Sequence, residues 1–202
     1  MTKFFCFLAI VTASIFFLFY ISLNSAWVTS LDTSAATLLK GNSFIEFFHY
    51  FGKTKFIMIV AVLLLVWLWI RNHNYRGMTL ALLTIAGGNV LNHILKEWVH
   101  RSRPVIPHQL KSFSFPSGHA MVGILYLFTI AYFATEHEAS EKKKILLWSF
   151  AIIMAALIGL SRIAGSRHFA SDVIAGWAIG YTWFILSIIW YERRKKTVER
   201  HK

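Results

Sequence analysis

The feature that most constrains this sequence is a series of long apolar runs separated by short polar segments. A run of about 20 apolar residues is long enough to cross the hydrocarbon core of a bilayer as a helix. Because the backbone finds no other hydrogen-bond partners in lipid, each such run must be helical. Six runs of about this length occur: Phe4–Leu23, Phe56–Ile70, Met78–Trp98, His119–Thr135, Ile145–Ile163 and Asp172–Tyr191. The sequence therefore predicts an all-α, polytopic membrane protein in which residues 1–202 form a single domain, a bundle of six transmembrane helices.

Composition and charge agree with a membrane protein. The chain is 56% hydrophobic, which is too apolar for an ordinary soluble domain. Its net charge of +12 does not indicate a nucleic-acid partner, because the basic residues lie between apolar runs and in a tail, residues 192–202. Membrane topology and anionic lipid headgroups account for such a tail. Cys6 is the only cysteine, so no intramolecular disulfide forms, and the sequence makes no prediction of oligomeric state.

Orientation follows from the placement of lysine and arginine. Basic residues in Met1–Lys3, Arg71–Arg76, Glu136–Lys144 and the tail predict that both termini lie in the cytoplasm of a plasma-membrane protein. The first apolar run starts and ends like a signal peptide, but its core is longer than about 7–15 residues, so it is predicted to be a retained span. Residues 26–55 are mixed and aromatic. They predict either a helix along the membrane surface or a loose loop.

Polar side chains recur at the predicted outer ends of the last four runs. They are three cations, two histidines and one carboxylate: Lys96, Arg103, Arg162, His119, His168 and Asp172. Singly, Lys96 or Arg162 is explained as an interfacial anchor, and His119 as a residue of a helix start. His168 and Asp172 are four apart and by themselves fit a structural pair on one helix face. Their convergence on one membrane face instead indicates function, because ionisable groups near membrane depth are costly.

This mixture of side chains suits a phosphate group. Fixed arginine and lysine side chains bind phosphate oxygens. Gly118 lets the backbone approach a ligand closely, and Ser117 lies at a helix amino terminus, which attracts anions. An imidazole held by a carboxylate is oriented as a nucleophile or base, and a second histidine can protonate a leaving oxygen. The sequence therefore predicts phosphoryl transfer through a phosphohistidine.

A metal site is the competing interpretation of two histidines and an aspartate. The predicted outer segments contain few acidic residues: Asp32, Glu46, Glu97 and Asp172. Magnesium or a two-metal centre prefers clustered carboxylates, and a cation-lined site repels a metal ion. We therefore expect no metal and no other cofactor.

The same residues fall into three motifs, "KEWVHRSRP" from Lys96, "PSGH" from Pro116 and "SRIAGSRHFASD" from Ser161. With these motifs the chain resembles the type 2 phosphatidic acid phosphatases, membrane lipid-phosphate phosphatases related to vanadium haloperoxidases. The signature of that family is K-x6-RP, then PSGH, then SR-x5-H-x3-D. Members often have Tyr-Pro after the second histidine, where this chain has Phe169-Ala170, and the first 55 residues carry no motif.

The resemblance implies a role for each matching residue. His168 would be the nucleophile, Asp172 would bind its other ring nitrogen, and His119 would protonate the departing lipid alkoxide. The residues implied to bind the phosphate are Lys96, Arg103, Arg162, Ser117 and Gly118. The resemblance also implies a metal-independent reaction and a six-helix bundle with its site near the outer leaflet.

The expected function is hydrolysis of a lipid phosphate monoester or diphosphate, with the catalytic motifs in residues 96–172. Within the family the substrates are phosphatidylglycerol phosphate, undecaprenyl diphosphate and phosphatidic acid, and a phosphatidylglycerophosphatase of the B type is favoured. A lipid phosphotransferase using the same histidine is one alternative. A non-catalytic lipid-phosphate binding or transport protein is another, disfavoured because every catalytic position is present. Three neighbouring residues have no predicted role: His100, Arg101 and Arg167.

Overall fold

The computed structural model describes residues 3–71, 73–106, 109 and 111–199. Within these ranges the secondary structure is entirely helical, in nine α-helices: α1 (Lys3–Ile21), α2 (Ala26–Leu39), α3 (Ser43–Phe47), α4 (Thr54–Ile70), α5 (Tyr75–Ala81), α6 (Gly88–Val99), α7 (Gly118–Thr135), α8 (Glu141–Ala164) and α9 (Ala170–Glu199). A 3₁₀ turn, Phe48–Gly52, precedes α4, and a π-helical segment, Leu82–Gly87, joins α5 to α6. Residues 1–2 of the predicted amino-terminal segment and residues 200–202 of the predicted tail lie outside the described residues.

Five helical stretches in the described part of the chain are long and apolar enough to cross a membrane: Lys3–Ile21, Tyr75–Val99, Gly118–Thr135, Glu141–Ala164 and Ala170–Arg194. A sixth is obtained if α4 is joined to Ser43–Gly52, from which it is bent by 51°. The 17 residues of α4 alone rise about 25 Å, slightly less than a hydrocarbon core of about 30 Å. The predicted all-α membrane architecture is therefore confirmed, and its shortest predicted run is the one that needs the bent extension.

The mixed stretch between the first two runs is helical. It forms α2, α3 and the 3₁₀ turn, so the loose loop is wrong. That these helices lie along the membrane surface stays a prediction. The Asn42 side chain caps α3 by accepting a hydrogen bond from the Ile45 N–H at 3.0 Å. Because α2 packs against both α8 and α9, it lies beside the ends of the two helices that carry the last sequence motif.

The bundle is organised around α7, whose side chains are mostly buried between α8 and α9. Two glycines of α9 permit its close approach to α7. A Cβ atom on Gly176 would lie 2.7 Å from the Ser117 carbonyl oxygen, and one on Gly180 would lie 3.0 Å from the Met121 carbonyl oxygen. Such close contacts through small residues are typical of packed membrane helices. This crossing fixes the start of α7 against the first turns of α9.

Large apolar side chains on the outside of the bundle have no protein to cover them. On α8, Leu146, Phe150 and Ile153 are more than half exposed, and α1 and α4 carry similar residues. A water-soluble protein rarely presents such extensive apolar surface. In a membrane protein these side chains face lipid, and the core lies at the helix interfaces. Most of it surrounds α7, and a second cluster lies among α1, α2, α6 and α9.

Candidate active site

The residues predicted from the motifs lie at one end of the bundle. The structure places them at the end of α6, at the start of α7, at the end of α8, at the start of α9 and in the intervening loops: Lys96, Arg103, Ser117, Gly118, His119, Arg162, His168 and Asp172. A backbone hydrogen bond of 2.9 Å from the Ser117 N–H to the Asp172 carbonyl joins the second motif to the third. Lys96 lies close enough to Arg103, Arg162 and Asp172 to interact with their charges. The site therefore forms where four helix ends meet.

His168 is held through both of its ring nitrogens. Its Nδ1 lies 3.3 Å from Oδ2 of Asp172, and its Nε2 lies 2.9 Å from an Nη1 donor of Arg103. Because the arginine can only donate, Nε2 is the acceptor and Nδ1 carries the proton of a neutral ring. The arrangement presents the Nε2 lone pair to the side of the site that holds the cations. His168 is 4% exposed and Asp172 is fully buried, so water competes little for these contacts.

Burial lowers the pKa of His168 to about 4, although the carboxylate of Asp172 acts in the opposite direction. The ring is therefore neutral near pH 7, so Nε2 keeps its lone pair, which accepts from Arg103 in this structure. The same burial makes the ring a poor place for a positive charge unless the site supplies compensating negative charge.

We expect this buried neutral ring to make stability depend on pH. Histidine in an unfolded chain has a pKa of about 6.5, so acid protonates the unfolded state first. The stability that His168 contributes is complete above about pH 6.5 and is lost as the pH falls through about 4, a loss of about 3 kcal/mol. Thermal unfolding in detergent between pH 7 and 4 should show a steeper acid loss in the wild type than in His168→Gln. Parallel curves would contradict this.

Lys96 and Arg103 are both anchored to the loop that follows the first motif. Nζ of Lys96 donates to the Phe113 carbonyl at 2.5 Å. The Arg103 guanidinium donates to the carbonyls of Ser112 and Phe113, at 2.7 and 3.2 Å, and to the Ser112 hydroxyl at 3.0 Å. These carbonyls fix the two cations in place, which reduces the conformational entropy lost when an anion binds.

Arg162 provides a more direct indication of an anion. The side chain is buried at the end of α8, and its Nε is one of two buried side-chain polar atoms without a hydrogen-bond partner in the described part of the chain. A buried guanidinium N–H left unpaired is costly, and such cases call for an explanation. A phosphate oxygen in the neighbouring space would satisfy it.

The turn before α7 is packed closely from two sides. Ser117 is buried, and its hydroxyl caps α7 by accepting from the Ala120 N–H at 3.5 Å. Asn92 of α6 donates to the Pro116 carbonyl at 3.2 Å, and a Cβ on Gly118 would lie 3.0 Å from the Asn92 Oδ1. A side chain at position 118 would therefore press on Asn92, and the predicted contacts of Ser117 and Gly118 with phosphate stay predictions.

The ring of His119 packs against backbone of the 3₁₀ turn. A Cβ on Gly52 would lie 2.4 Å from Cδ2 of His119, so a larger residue there would displace the ring. The other side of His119 faces a cavity of about 390 Å³, also lined by Arg162 and Arg167. His119 and Arg162 thus share one open space, whereas His168 lines a separate cavity with Asp32 and Arg101.

Sequence reasoning missed an ion-pair network behind the histidine. Arg101 donates to Oδ1 of Asp172 at 2.6 Å and to Oδ2 of Asp32 at 2.8 Å. Its guanidinium also lies 4.3 Å from the centre of the Phe169 ring. Asp32 in turn accepts from the N–H and the hydroxyl of Ser171, both at 2.8 Å. A chain of contacts therefore runs from α2 through Arg101 to Asp172.

Ser114 was missed as well, and its hydroxyl donates to Oδ2 of Asp172. The Phe169 N–H donates to the same oxygen at 2.9 Å. Two features of the sequence point to members of this ion-pair network. Asp32 is the only acidic residue before Glu46, and Arg101 lies inside the first motif. Neither signal identifies a partner.

The described residues include no group of three or more histidine, cysteine, aspartate or glutamate side chains placed to hold a metal ion. The absence of a metal from the reaction stays a prediction that a chelator experiment tests.

The fold and the motifs both match known proteins. The chain is 32% identical to phosphatidylglycerophosphatase B of Bacillus subtilis (strain 168) over 184 residues, which covers 84% of this chain and 90% of that protein. It is 28% identical to lipid A 4'-phosphatase of Francisella tularensis subsp. novicida (strain U112), covering 91% and 92% of the two chains.

A crystal structure gives the same result at the level of the fold. The structure described as the first transmembrane PAP2 type phosphatidylglycerolphosphate phosphatase, from Bacillus subtilis, matches with a TM-score of 0.82 and 27% identity. The match covers 92% of this chain and 96% of that one. The family model of the PAP2 superfamily matches residues 77–196, which include all three motifs. The chain belongs to the PAP2 superfamily of membrane lipid phosphatases.

Proposed function

We propose that this protein hydrolyses a lipid phosphate without a metal ion, through a phosphohistidine at His168. The observation that carries the proposal is the orientation of that ring. Asp172 holds the Nδ1 proton, and the Nε2 lone pair points to Arg103, one of three cations suited to a phosphate. A neutral imidazole oriented in this way is an activated nucleophile.

The first half of the reaction forms the intermediate. Lys96, Arg103 and Arg162 bind the non-bridging phosphate oxygens, with hydrogen bonds from Ser117 and Gly118, and neutralise the charge that the transition state spreads over them. Nε2 of His168 attacks phosphorus, the N–P bond forms and the bond to the lipid oxygen breaks. A proton from His119 goes to the departing alkoxide. The Nδ1–H contact with Asp172 stabilises the positive ring of the phosphohistidine.

The second half restores the enzyme. Water attacks phosphorus in line with the N–P bond, and His119, now neutral, accepts a proton from it. The N–P bond breaks, inorganic phosphate leaves and His168 returns to the neutral state. The carboxylate of Asp172 remains ionised throughout, as expected for a group that orients a histidine and stabilises its charge.

Phosphatidylglycerol phosphate is the substrate that we favour. The sequence match and the structural match described above are both to a phosphatidylglycerophosphatase of Bacillus subtilis, and the similarity spans most of the chains. Undecaprenyl diphosphate and phosphatidic acid contain the same type of terminal phosphate and are the alternatives. We place the site on the extracytoplasmic side of the plasma membrane, with both termini inside, because the remaining loops carry the basic residues typical of cytoplasmic segments.

A substrate panel tests the proposal. Purified full-length protein in non-ionic detergent with EDTA is given phosphatidylglycerol phosphate, undecaprenyl diphosphate or phosphatidic acid, and phosphate release is measured. We expect release with EDTA present and the highest kcat/KM for phosphatidylglycerol phosphate. Activity abolished by EDTA and restored by Mg²⁺ would contradict the metal-independent reaction. Turnover that requires a second lipid as acceptor would identify a phosphotransferase instead.

A further inference from the structure

The cavity beside His119 extends beyond the residues that the reaction needs. Its volume is about 390 Å³, within the range of small-molecule sites. Besides His119 and Arg162, its lining includes four ionisable side chains from two separate parts of the chain: Glu46, His49, Lys53 and Arg167. The proposed chemistry uses none of these four.

The position of the cavity determines which part of a substrate enters it. Because His119 protonates the departing oxygen in the proposed reaction, the leaving group must lie on the His119 side of phosphorus. His119 lines the cavity, whereas His168 does not and its Nε2 faces Arg103. The atoms attached to the departing oxygen therefore occupy the cavity.

The charge of the cavity indicates what those atoms are. Lys53 and Arg167 contribute two cations beyond the three assigned to the scissile phosphate, against the single carboxylate of Glu46. The ammonium of Lys53 lies 4.0 Å from the centre of the Tyr50 ring, a cation–π contact that holds it at the end of the 3₁₀ turn. The Arg167 backbone is fixed because its carbonyl accepts from Arg103 at 2.8 Å. These two cations are suited to an anion separate from the scissile group.

We propose that this cavity is a subsite for a second phosphate group on the leaving-group side of the substrate, bound by Lys53 and Arg167. The inference rests on the proposed function, since it takes its direction from the role of His119. Phosphatidylglycerol phosphate has such a phosphate in the diester linking its two glycerol units, and a lipid diphosphate has one directly attached. Phosphatidic acid has none, because its leaving group is a neutral diacylglycerol. The subsite thus selects lipids with two phosphates over lipids with one.

The Glu46 carboxylate has a place in the same arrangement. Its Oε1 would lie 3.2 Å from a Cβ on Gly165, so it reaches across the cavity from α3 to the end of α8. A carboxylate accepts hydrogen bonds from hydroxyl groups. The glycerol of phosphatidylglycerol phosphate carries a free hydroxyl between its two phosphates, and a diphosphate does not. Glu46 therefore favours the glycerol-linked substrate within the two-phosphate class.

The test compares substrates in the full-length protein. We expect Lys53→Glu to lower the ratio of kcat/KM for phosphatidylglycerol phosphate to kcat/KM for phosphatidic acid at least about tenfold, and Lys53→Met about fivefold. Lys55→Met is the matched control. This substitution removes the same charge two residues away, but Lys55 lines an apolar groove on α4 instead of the cavity. That control should leave the ratio unchanged.

Each outcome has a distinct meaning. If Lys53→Glu leaves the ratio of kcat/KM values unchanged, whether or not both values fall, the subsite is overturned. Continued hydrolysis by that variant would leave the proposed function intact. Loss of hydrolysis of every lipid by the wild type would refute the proposed function itself. Assays repeated with added phosphatidylglycerol vesicles test whether the subsite binds a phosphate of the substrate or the headgroup phosphate of another lipid. A ratio effect that appears only with the vesicles would overturn the assignment to the leaving group.

Discussion

Replacing His168 by glutamine is expected to lower kcat for phosphate release by at least about 10³-fold, the scale on which loss of a nucleophile acts. Glutamine is similar in length and still accepts a hydrogen bond, but it has no nucleophilic ring nitrogen to form the phosphohistidine. Residual turnover would come from binding and from the three cations alone. The measurement is phosphate release from phosphatidylglycerol phosphate by equal amounts of folded protein.

Trapping the intermediate makes this test specific to mechanism. Rapid quenching of the wild type with ³²P-labelled substrate should give labelled protein that is stable in base and labile in acid, as phosphohistidine is. His168→Gln should give none. His137→Gln is the control, because His137 is exposed and contacts only Glu136, at 3.8 Å. Undiminished turnover in His168→Gln would exclude this nucleophile, and label in that variant would place the intermediate elsewhere.

The sequence predicted the main parts of the site because they depend on local structure. Six apolar runs determine where helices end, and the motif residues lie at or beside ends that share one membrane face. His168 and Asp172 are four residues apart at the start of α9, so their contact follows from the geometry of one helical turn. This is why all the predicted residues are found at one end of the bundle.

The ion-pair network could not be predicted in the same way because its members meet only through tertiary packing. Asp32 and Arg101 are 69 residues apart, and they meet because α2 packs beside α8 and α9. The sequence left residues 26–55 undecided between a surface helix and a loop. Without the position of α2, Asp32 is simply one acid among polar residues, and Arg101 has several possible partners.

Gly118 illustrates a second limit. Its place in the PSGH motif indicates close approach of a ligand, but the structure shows Asn92 against its backbone. Asn92 lies on α6 among both apolar and polar residues, and its partner across the bundle, the Pro116 carbonyl, has no sequence signature. A helix–helix contact of this kind depends on how the two helices are rotated about their axes. Because α7 is apolar on all sides, its sequence does not specify that rotation.

Arg101→Met is expected to have the second-largest effect, through stability and activity together. The arginine lies between two buried carboxylates, Asp32 and Asp172, at 2.8 and 2.6 Å. Removing it leaves both without their cation, and breaking a buried pair from one side costs roughly 3–5 kcal/mol. The apparent unfolding temperature should fall by several degrees. Arg71→Met is the control, since Arg71 is exposed and stacks only on Trp67, at 5.2 Å.

Activity should fall about 10²-fold in the Arg101→Met protein that remains folded, because Asp172 then no longer holds His168 firmly in its productive orientation. Arg101 is a positioning residue, so the loss should appear in kcat with little change in KM. Arg101→Lys should restore part of the activity by returning the charge without the second hydrogen bond.

Asp32→Asn separates the two carboxylates. This variant keeps an oxygen for Ser171 and leaves Arg101 paired with Asp172. Its losses of stability and of kcat should therefore be clearly smaller than those of Arg101→Met. Because Asp32 and Arg101 contact each other, the double variant should lose less than the sum of the two single losses. Additive losses of unfolding free energy would show that Asp32 and Arg101 are not coupled. An Arg101→Met protein that is destabilised but has wild-type kcat would show that Arg101 supports the fold alone. A fall in kcat that Arg101→Lys partly reverses would instead establish that Arg101 positions the nucleophile through its contact with Asp172.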